Sequence, residues 1–134
     1  MKDPHWVPVR DVMRTQVAFV DGRITVLEAL KTMKREKVTS LIVNKRSEKD
    51  EYGIVLFSDI AKQVIAQNRA PERVNVFEIM AKPVIAVRPD MDIRYCARLF
   101  GRFGISHAPV IENDEVIGIV SYYLLVLEGL PDLD

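Results

Sequence analysis

The chain has little of what covalent, metal or membrane chemistry requires. One cysteine, Cys96, stands among 134 residues, so no disulfide can close within the chain. The pattern around it reads as helix with Cys96 on the apolar face, the place of a small buried hydrophobe in a reducing compartment. There are two histidines, His5 and His107, far apart and with no cysteine cluster, so a metal site is not expected. The 6 glycines form neither a phosphate-cradling loop nor a dinucleotide fingerprint, and no serine or cysteine sits in an activating arrangement. A non-catalytic protein is the expectation.

Charge of one sign is missing too. Nineteen basic residues meet nineteen acidic ones, leaving no global field to draw the protein onto nucleic acid or anionic lipid. The longest nearly apolar run, residues 116–127, contains Gly118, Ser121 and two tyrosines. It is shorter than the ~18–20 residues that span a bilayer. Residues 1–6 have no apolar stretch of the signal-peptide kind, and a cytoplasmic location with no membrane association is expected.

What the chain does have is internal repetition. Val9-Arg10-Asp11-Val12-Met13 recurs as Val76-Phe77-Glu78-Ile79-Met80, an offset of 67. The same offset places Val17 on Val84, Val20 on Val87, Val38 on Ile105 and Val43 on Val110. Two copies account for the chain, with boundaries at 8–70 and 75–129 and the linker Arg69-Ala70-Pro71-Glu72 between them.

Each copy presents the same elements in order. A short helical turn (8–13; 77–80) leads into a β-branched strand (17–20; 84–87) and then an amphipathic helix. Val26, Ala29, Leu30 and Met33 make the apolar face of the first helix, and Ile93, Cys96, Ala97 and Phe100 that of the second. Thr25 with Glu28 predicts a capping box, and Asp92 an N-cap, at the two helix starts. Strands at 38–43 and 53–57, and at 106–111 and 116–120, follow. Glu112-Asn113-Asp114-Glu115 makes a tight hairpin of the second pair, whereas 44–52 is a longer charged loop expected to be a solvated tip. Closing helices run from Ser58 to about Ala70 and from Tyr123 to about Glu128. The fold class is mixed α/β, two β-α-β-β-α units with a crossover helix between parallel strands. They are expected to pack sheet to sheet.

This order resembles the CBS (cystathionine beta-synthase) repeat family over nearly the whole chain. The residues that carry the resemblance are Val9, Asp11 and Met13 with Val76, Glu78 and Met80. To these are added Ile105-Ser106-His107-Ala108-Pro109-Val110-Ile111 and the glycines opening each last strand, Gly53 and Gly118. The resemblance implies a pair of repeats related by approximate twofold symmetry, two clefts that in many members bind AMP, ADP, ATP or S-adenosylmethionine, and homodimers of such pairs. What such a module regulates is expected to be a separate, unknown effector protein or its own assembly.

Nucleotide-binding repeats of the family show Gly, two apolar residues, Ser or Thr, two more residues and Asp. The carboxylate can accept both ribose hydroxyls. Copy one, Gly53-Ile54-Val55-Leu56-Phe57-Ser58-Asp59, keeps the aspartate and has Leu56 for the hydroxyl. Copy two, Gly118-Ile119-Val120-Ser121-Tyr122-Tyr123-Leu124, keeps the hydroxyl and has Leu124 for the aspartate. By resemblance, one cleft is competent. Asp59 faces ribose, Ser106 and His107 face phosphate, Val84 and Ile85 surround the base, and Ser40 adds a hydroxyl. Ser106 and His107 stand where a nucleotide-sensing kinase subunit of the family has His and Arg. The opposite cleft, with Ser121, is weaker or empty.

Each residue also has a plainer role. Asp59 and Ser121 can cap the helices they precede. His107 can be a packed strand residue. Arg94, Arg98 and Arg102, on one helix face, can be solvated, acid-paired, or a contact with a partner subunit or an anionic ligand. Trp6 and the tail 125–130 can cover apolar surface or join a dimer. The leading reading is a regulatory adenine-nucleotide sensor; the alternative is a ligand-free dimerisation or protein-interaction scaffold. A nucleic-acid adaptor is disfavoured by the balanced charge and the lack of aromatics on a basic surface.

Overall fold

In the computed structural model, residues 6–130 are described; His5 lies outside them. The elements are β1 (Phe19–Val20), α1 (Val26–Glu36), β2 (Ser40–Val43), β3 (Gly53–Leu56), α2 (Phe57–Ile60), α3 (Ile93–Phe103), β4 (His107–Glu112), β5 (Glu115–Ser121) and α4 (Tyr122–Leu127). Short 3-10 turns at Val9–Asp11 and Val76–Glu78 are the predicted lead-in turns.

The chain divides into two compact units. One is Val17–Val84, with strand order β1-β2-β3. There β1 runs parallel to β2 through the crossover α1, and β3 returns antiparallel with Ser40 opposite Leu56 and Val43 opposite Gly53. The other unit joins the segment ending at Gln16 to the segment beginning at Ile85, and holds the β4-β5 hairpin. Its counterpart of β1 shrinks to one parallel bridge, Val87 to Val110, at the repeat equivalent of Val20 and Val43.

The repeat recurs bond for bond. In one unit Val26 N–H donates to the Val74 carbonyl, Val76 to Ile24 and Phe77 to Gly22. In the other, Ile93 donates to Val7, Val9 to Met91 and Arg10 to Pro89, each partner displaced by 67. These bonds also shift the phase of the compact units from the repeat boundaries 8–70 and 75–129. The first lead-in packs on the second copy's body, and the second lead-in on the first copy's. Val9 and Val12 are buried with Cys96, Phe100 and Val120. Val76 and Ile79 are buried with Val26, Met33 and Val55. The two lead-ins have nearly the same apolar pattern, so local sequence does not say which body each one joins.

Both crossover helices begin and end as their sequences direct. Thr25 Oγ1 accepts the Glu28 N–H at 3.1 Å, and Asp92 Oδ1 accepts the Arg94 N–H at 2.8 Å. The Glu28 carboxylate meets the Thr25 hydroxyl (3.3 Å), so the hydroxyl half of the predicted box carries the cap. Lys37 and Gly104, again 67 apart, terminate the helices in the left-handed region at φ 58° and 66°. Ala97, expected on the apolar face of α3, is exposed. The hairpin turn has positive φ at both Asn113 (52°) and Asp114 (65°), the two-residue turn whose twist suits antiparallel strands. The predicted helix from Ser58 to Ala70 is shorter: α2 passes into a π turn, Ala61–Ile65, and ends before the linker.

Candidate functional site

Where the last strand of each copy meets its closing helix, the same backbone joint recurs. Phe57 N–H donates to the Thr39 carbonyl and Tyr122 N–H to that of Ser106, both at 3.2 Å. Around this joint the structure sets several of the predicted residues.

In the Val17–Val84 unit, Asp59 is half-buried in the first turn of α2. Its Oδ2 accepts the Leu56 N–H at 2.8 Å, satisfying a donor at the helix start. Leucine offers no acceptor in return, so one half of a capping box is present. Among the described residues no donor to Asp59 Oδ1 is found. Ser40, 7% exposed, lies on β2 directly opposite Leu56. Ser40, Leu56 and Asp59 therefore share one end of one sheet. Val84 is half-buried and tied by its N–H to the Tyr52 carbonyl at 3.2 Å.

In the other unit the strand end gathers Ser106, His107 and Ser121. His107 stands opposite Ser121 in the β4-β5 register. The Ser106 hydroxyl lies 2.9 Å from His107 Nδ1. Burial pushes the His107 imidazole below its ordinary pKa, because the charged form is poorly solvated there. Ser121 Oγ accepts the Leu124 N–H at 3.3 Å and caps α4. Leu124, where a carboxylate would complete the motif, is 5% exposed and belongs to the core. Ile85 is half-buried at the start of this unit's second segment. Asp59, Ser40 and Val84 thus belong to one unit, and Ile85, Ser106, His107 and Ser121 to the other.

Two further expectations resolve. Cys96 is buried and its thiol pushed up to about 11 by desolvation, the environment of a core residue. Of the arginine stripe, Arg94 pairs with Asp92 (2.7 Å) and Arg98 lies over the Tyr95 ring (5.4 Å to centroid). Among the described residues no three of His, Cys, Asp and Glu converge as metal ligands, and no helix is long and apolar enough to cross a membrane. The charged loop 44–52 is mostly exposed, as expected of a solvated tip, and is braced by polar contacts. Asp50 accepts the Arg46 N–H at 2.8 Å and pairs with Lys82 at 2.7 Å, while Lys45 lies over Tyr52.

A double repeat, each copy with a parallel crossover and an antiparallel strand pair whose last strand carries a glycine (Gly53 opening β3, Gly118 within β5), is the pattern of a CBS pair. Comparison with known families agrees: the CBS domain model matches residues 9–66 and again 76–126, and the chain belongs to that family. Among solved structures it is similar to a hexameric CBS-CP12 protein from bloom-forming cyanobacteria. That match has a TM-score of 0.90 and 38% identity, over 92% of this chain and 71% of the other. It is also similar to the CBS domain pair of protein MJ0100 in complex with 5'-methylthioadenosine and S-adenosyl-L-methionine. There the TM-score is 0.74 and the identity 27%, over 88% and 91% of the two chains. An uncharacterized protein of Methanopyrus kandleri is 32% identical over 86% of this chain, which spans 59% of that protein's length. The CBS domain-containing protein YhcV of Bacillus subtilis is 29% identical, with 84% and 79% covered.

Proposed function

We propose that this CBS pair is a regulatory module that senses an adenine nucleotide of the AMP, ADP or ATP type and acts through its own oligomer or a separate effector, without catalysis. The observation that carries the reading is Asp59. It is a half-buried carboxylate with one oxygen committed to the Leu56 N–H and the other available for ribose hydroxyls. Val84 and Ile85 contact the base, Ser106 and His107 the phosphate, and Ser40 adds a hydroxyl; Ser121 marks the weaker cleft. That the MJ0100 pair holds two adenosine derivatives supports an adenosine-type ligand, and keeps S-adenosylmethionine within the class. The hexameric relative supports action through assembly.

Isothermal titration of AMP, ADP, ATP and S-adenosylmethionine tests this. Asp59→Ala should weaken the bound nucleotide roughly ten- to a hundredfold, the loss of one charge-assisted bond. Unchanged affinity removes Asp59 from the site. Burial holds the His107 pKa below its ordinary value, and protonation strengthens its hold on a phosphate, so binding should tighten as the pH falls from about 8 to about 5.5; a flat profile removes His107.

A ligand-free scaffold is the second reading. Phe57, Ile65, Tyr123, Val126, Leu127 and Leu130 are between 46% and 70% exposed, apolar surface of the kind that protein contacts use. If none of the four ligands binds while the chain still oligomerises, this second reading replaces the first.

A further inference from the structure

The Val17–Val84 unit holds a pocket of about 270 Å³ that includes none of Asp59, Ser40 and Val84. Gly22, Val43, Phe77 and Met80 give it an apolar floor, and Asn44, Arg46 and Lys82 stand among its polar lining. Gly22 keeps the floor open. A Cβ there would stand 3.2 Å from Val43 Cγ1 and 3.5 Å from Phe77 Cβ, already tight, and a longer side chain would occupy the space. At the repeat-equivalent position the other copy has a proline, Pro89, and it is buried. Phe77 and Lys82 are likewise replaced there, by Arg10 and Thr15. The pocket is a specialisation of one copy.

Its charge is uneven. Arg23 is held by Asp21 through contacts of 3.1 and 2.7 Å, and Lys82 by Asp50 at 2.7 Å. Hydrogen bonds from Arg23 draw the Asp21 carboxyl down to about 2, and those from Lys82 and the Arg46 N–H draw Asp50 well below the carboxylate range. Both acids therefore stay ionised near neutral pH and cancel those two cations. The Arg46 guanidinium is exposed and close enough to Asp21 to help draw its carboxyl down, but it has no carboxylate within ion-pair distance among the described residues, so one positive charge of the three is left in excess.

We infer that this pocket binds a small organic monoanion, a carboxylate on an apolar or aromatic body. The guanidinium of Arg46 takes the carboxylate in its planar fork, with the Asn44 amide as second donor. The Phe77 ring and the Met80 thioether take the body. The single uncompensated positive charge matches a carboxylate better than a phosphate dianion.

Titration of the ¹⁵N-labelled full chain with phenylacetate, followed by amide chemical shifts, tests the inference. The expected result is a saturable shift with a Kd on the order of millimolar, centred on Gly22, Asn44, Arg46 and Phe77. Arg46→Glu, at an exposed position, should weaken it about tenfold or more. Gly22→Leu should abolish it while leaving distant amides in place. Acetate, which lacks the body, and benzyl alcohol, which lacks the charge, should each bind about tenfold more weakly. Shifts that never saturate, that scatter over the surface, that survive Arg46→Glu, or that acetate reproduces at equal strength overturn the inference.

Discussion

Replacing Gly118 by alanine is the sharpest test of the lead-in packing. A Cβ on Gly118 would stand 2.5 Å from Met13 Sδ, 3.0 Å from Met13 Cγ and 2.9 Å from the Arg14 carbonyl oxygen. The methionine can move at modest cost, but the carbonyl cannot move freely. Arg14 and Ile119 exchange two backbone hydrogen bonds of 2.9 Å, which fix the lead-in on β5. Overpacking of this kind costs about 1–3 kcal/mol, and stretching two such bonds adds about 1–2 kcal/mol. Gly118 is outside the positive-φ set, so alanine recovers about 0.4–1 kcal/mol from the unfolded chain. The net expectation is a loss of about 3 kcal/mol, within a range of about 1–5. The repeat supplies the control. At Gly53 the nearest atom is the flexible Met80 thioether at 2.9 Å, with the Ala81 carbonyl further off at 3.3 Å; Gly53→Ala should cost about 1 kcal/mol. Gly101, inside α3 with nothing within 4 Å, should gain about 0.5–1 kcal/mol as alanine. Urea titrations by circular dichroism measure all three. The single tryptophan, Trp6, reports the unit that contains Gly118. If Gly53→Ala costs as much as Gly118→Ala, or Gly118→Ala is neutral, the lead-in is not seated on β5 as described.

Three further perturbations have definite signs. Asp92, with its side chain 2% exposed, caps α3 and pairs with Arg94. Asp92→Ala should cost about 1–2 kcal/mol in urea titration, and an unchanged midpoint would deny the cap. The Arg94 hydrogen bonds hold the Asp92 carboxyl below its ordinary value. Its contribution is therefore complete above about pH 4 and is lost as pH falls through the lower folded value. His107 has a folded pKa below the unfolded one. The unfolded chain binds more protons in that window, so stability is full above about pH 6.5 and falls as pH drops through the folded value. His107→Gln should flatten that part of the pH–Tm profile, and a slope unchanged by the substitution would place its cause elsewhere. Cys96, buried and shifted to about 11, should react with a thiol reagent only on unfolding; prompt labelling of the native chain would show that it is accessible.

The repeat was legible because it rests on local patterns written twice. Thr25 and Asp92, Lys37 and Gly104, and the parallel pairs Val20–Val43 and Val87–Val110 all obey one offset. Past the longer loop of copy one the offset falls to 65, and the glycines record it: Gly53 pairs with Val43, and Gly118 with Val110. The unit boundaries were not legible, since Val9 and Val76 are equally apolar and partner choice is a tertiary matter. The basic pocket was hidden for the same reason. Asp50 and Lys82 lie far apart in sequence, and their pairing decides that Arg46 is the cation left over. The full helix expected after Ser58 gave way to a π turn, for which the residues offer no local cause.

The two incomplete ligand motifs have one explanation in helix geometry. A hydroxyl followed three residues later by an acid is the sequence of a capping box, and each copy keeps one half. In copy one Asp59 accepts the Leu56 N–H; in copy two Ser121 accepts the Leu124 N–H. Either half satisfies a donor at the helix start, so each copy caps its helix without the other half. The missing halves differ in chemistry, however. Leu124 makes the acid position part of the core, so copy two cannot hold a carboxylate there without placing a charge among Phe100, Val110 and Val120. Copy one, with Leu56 half-buried and Asp59 partly accessible, keeps the group that can accept ribose hydroxyls. The asymmetry proposed between the clefts therefore follows from which half of a structural motif each copy retained.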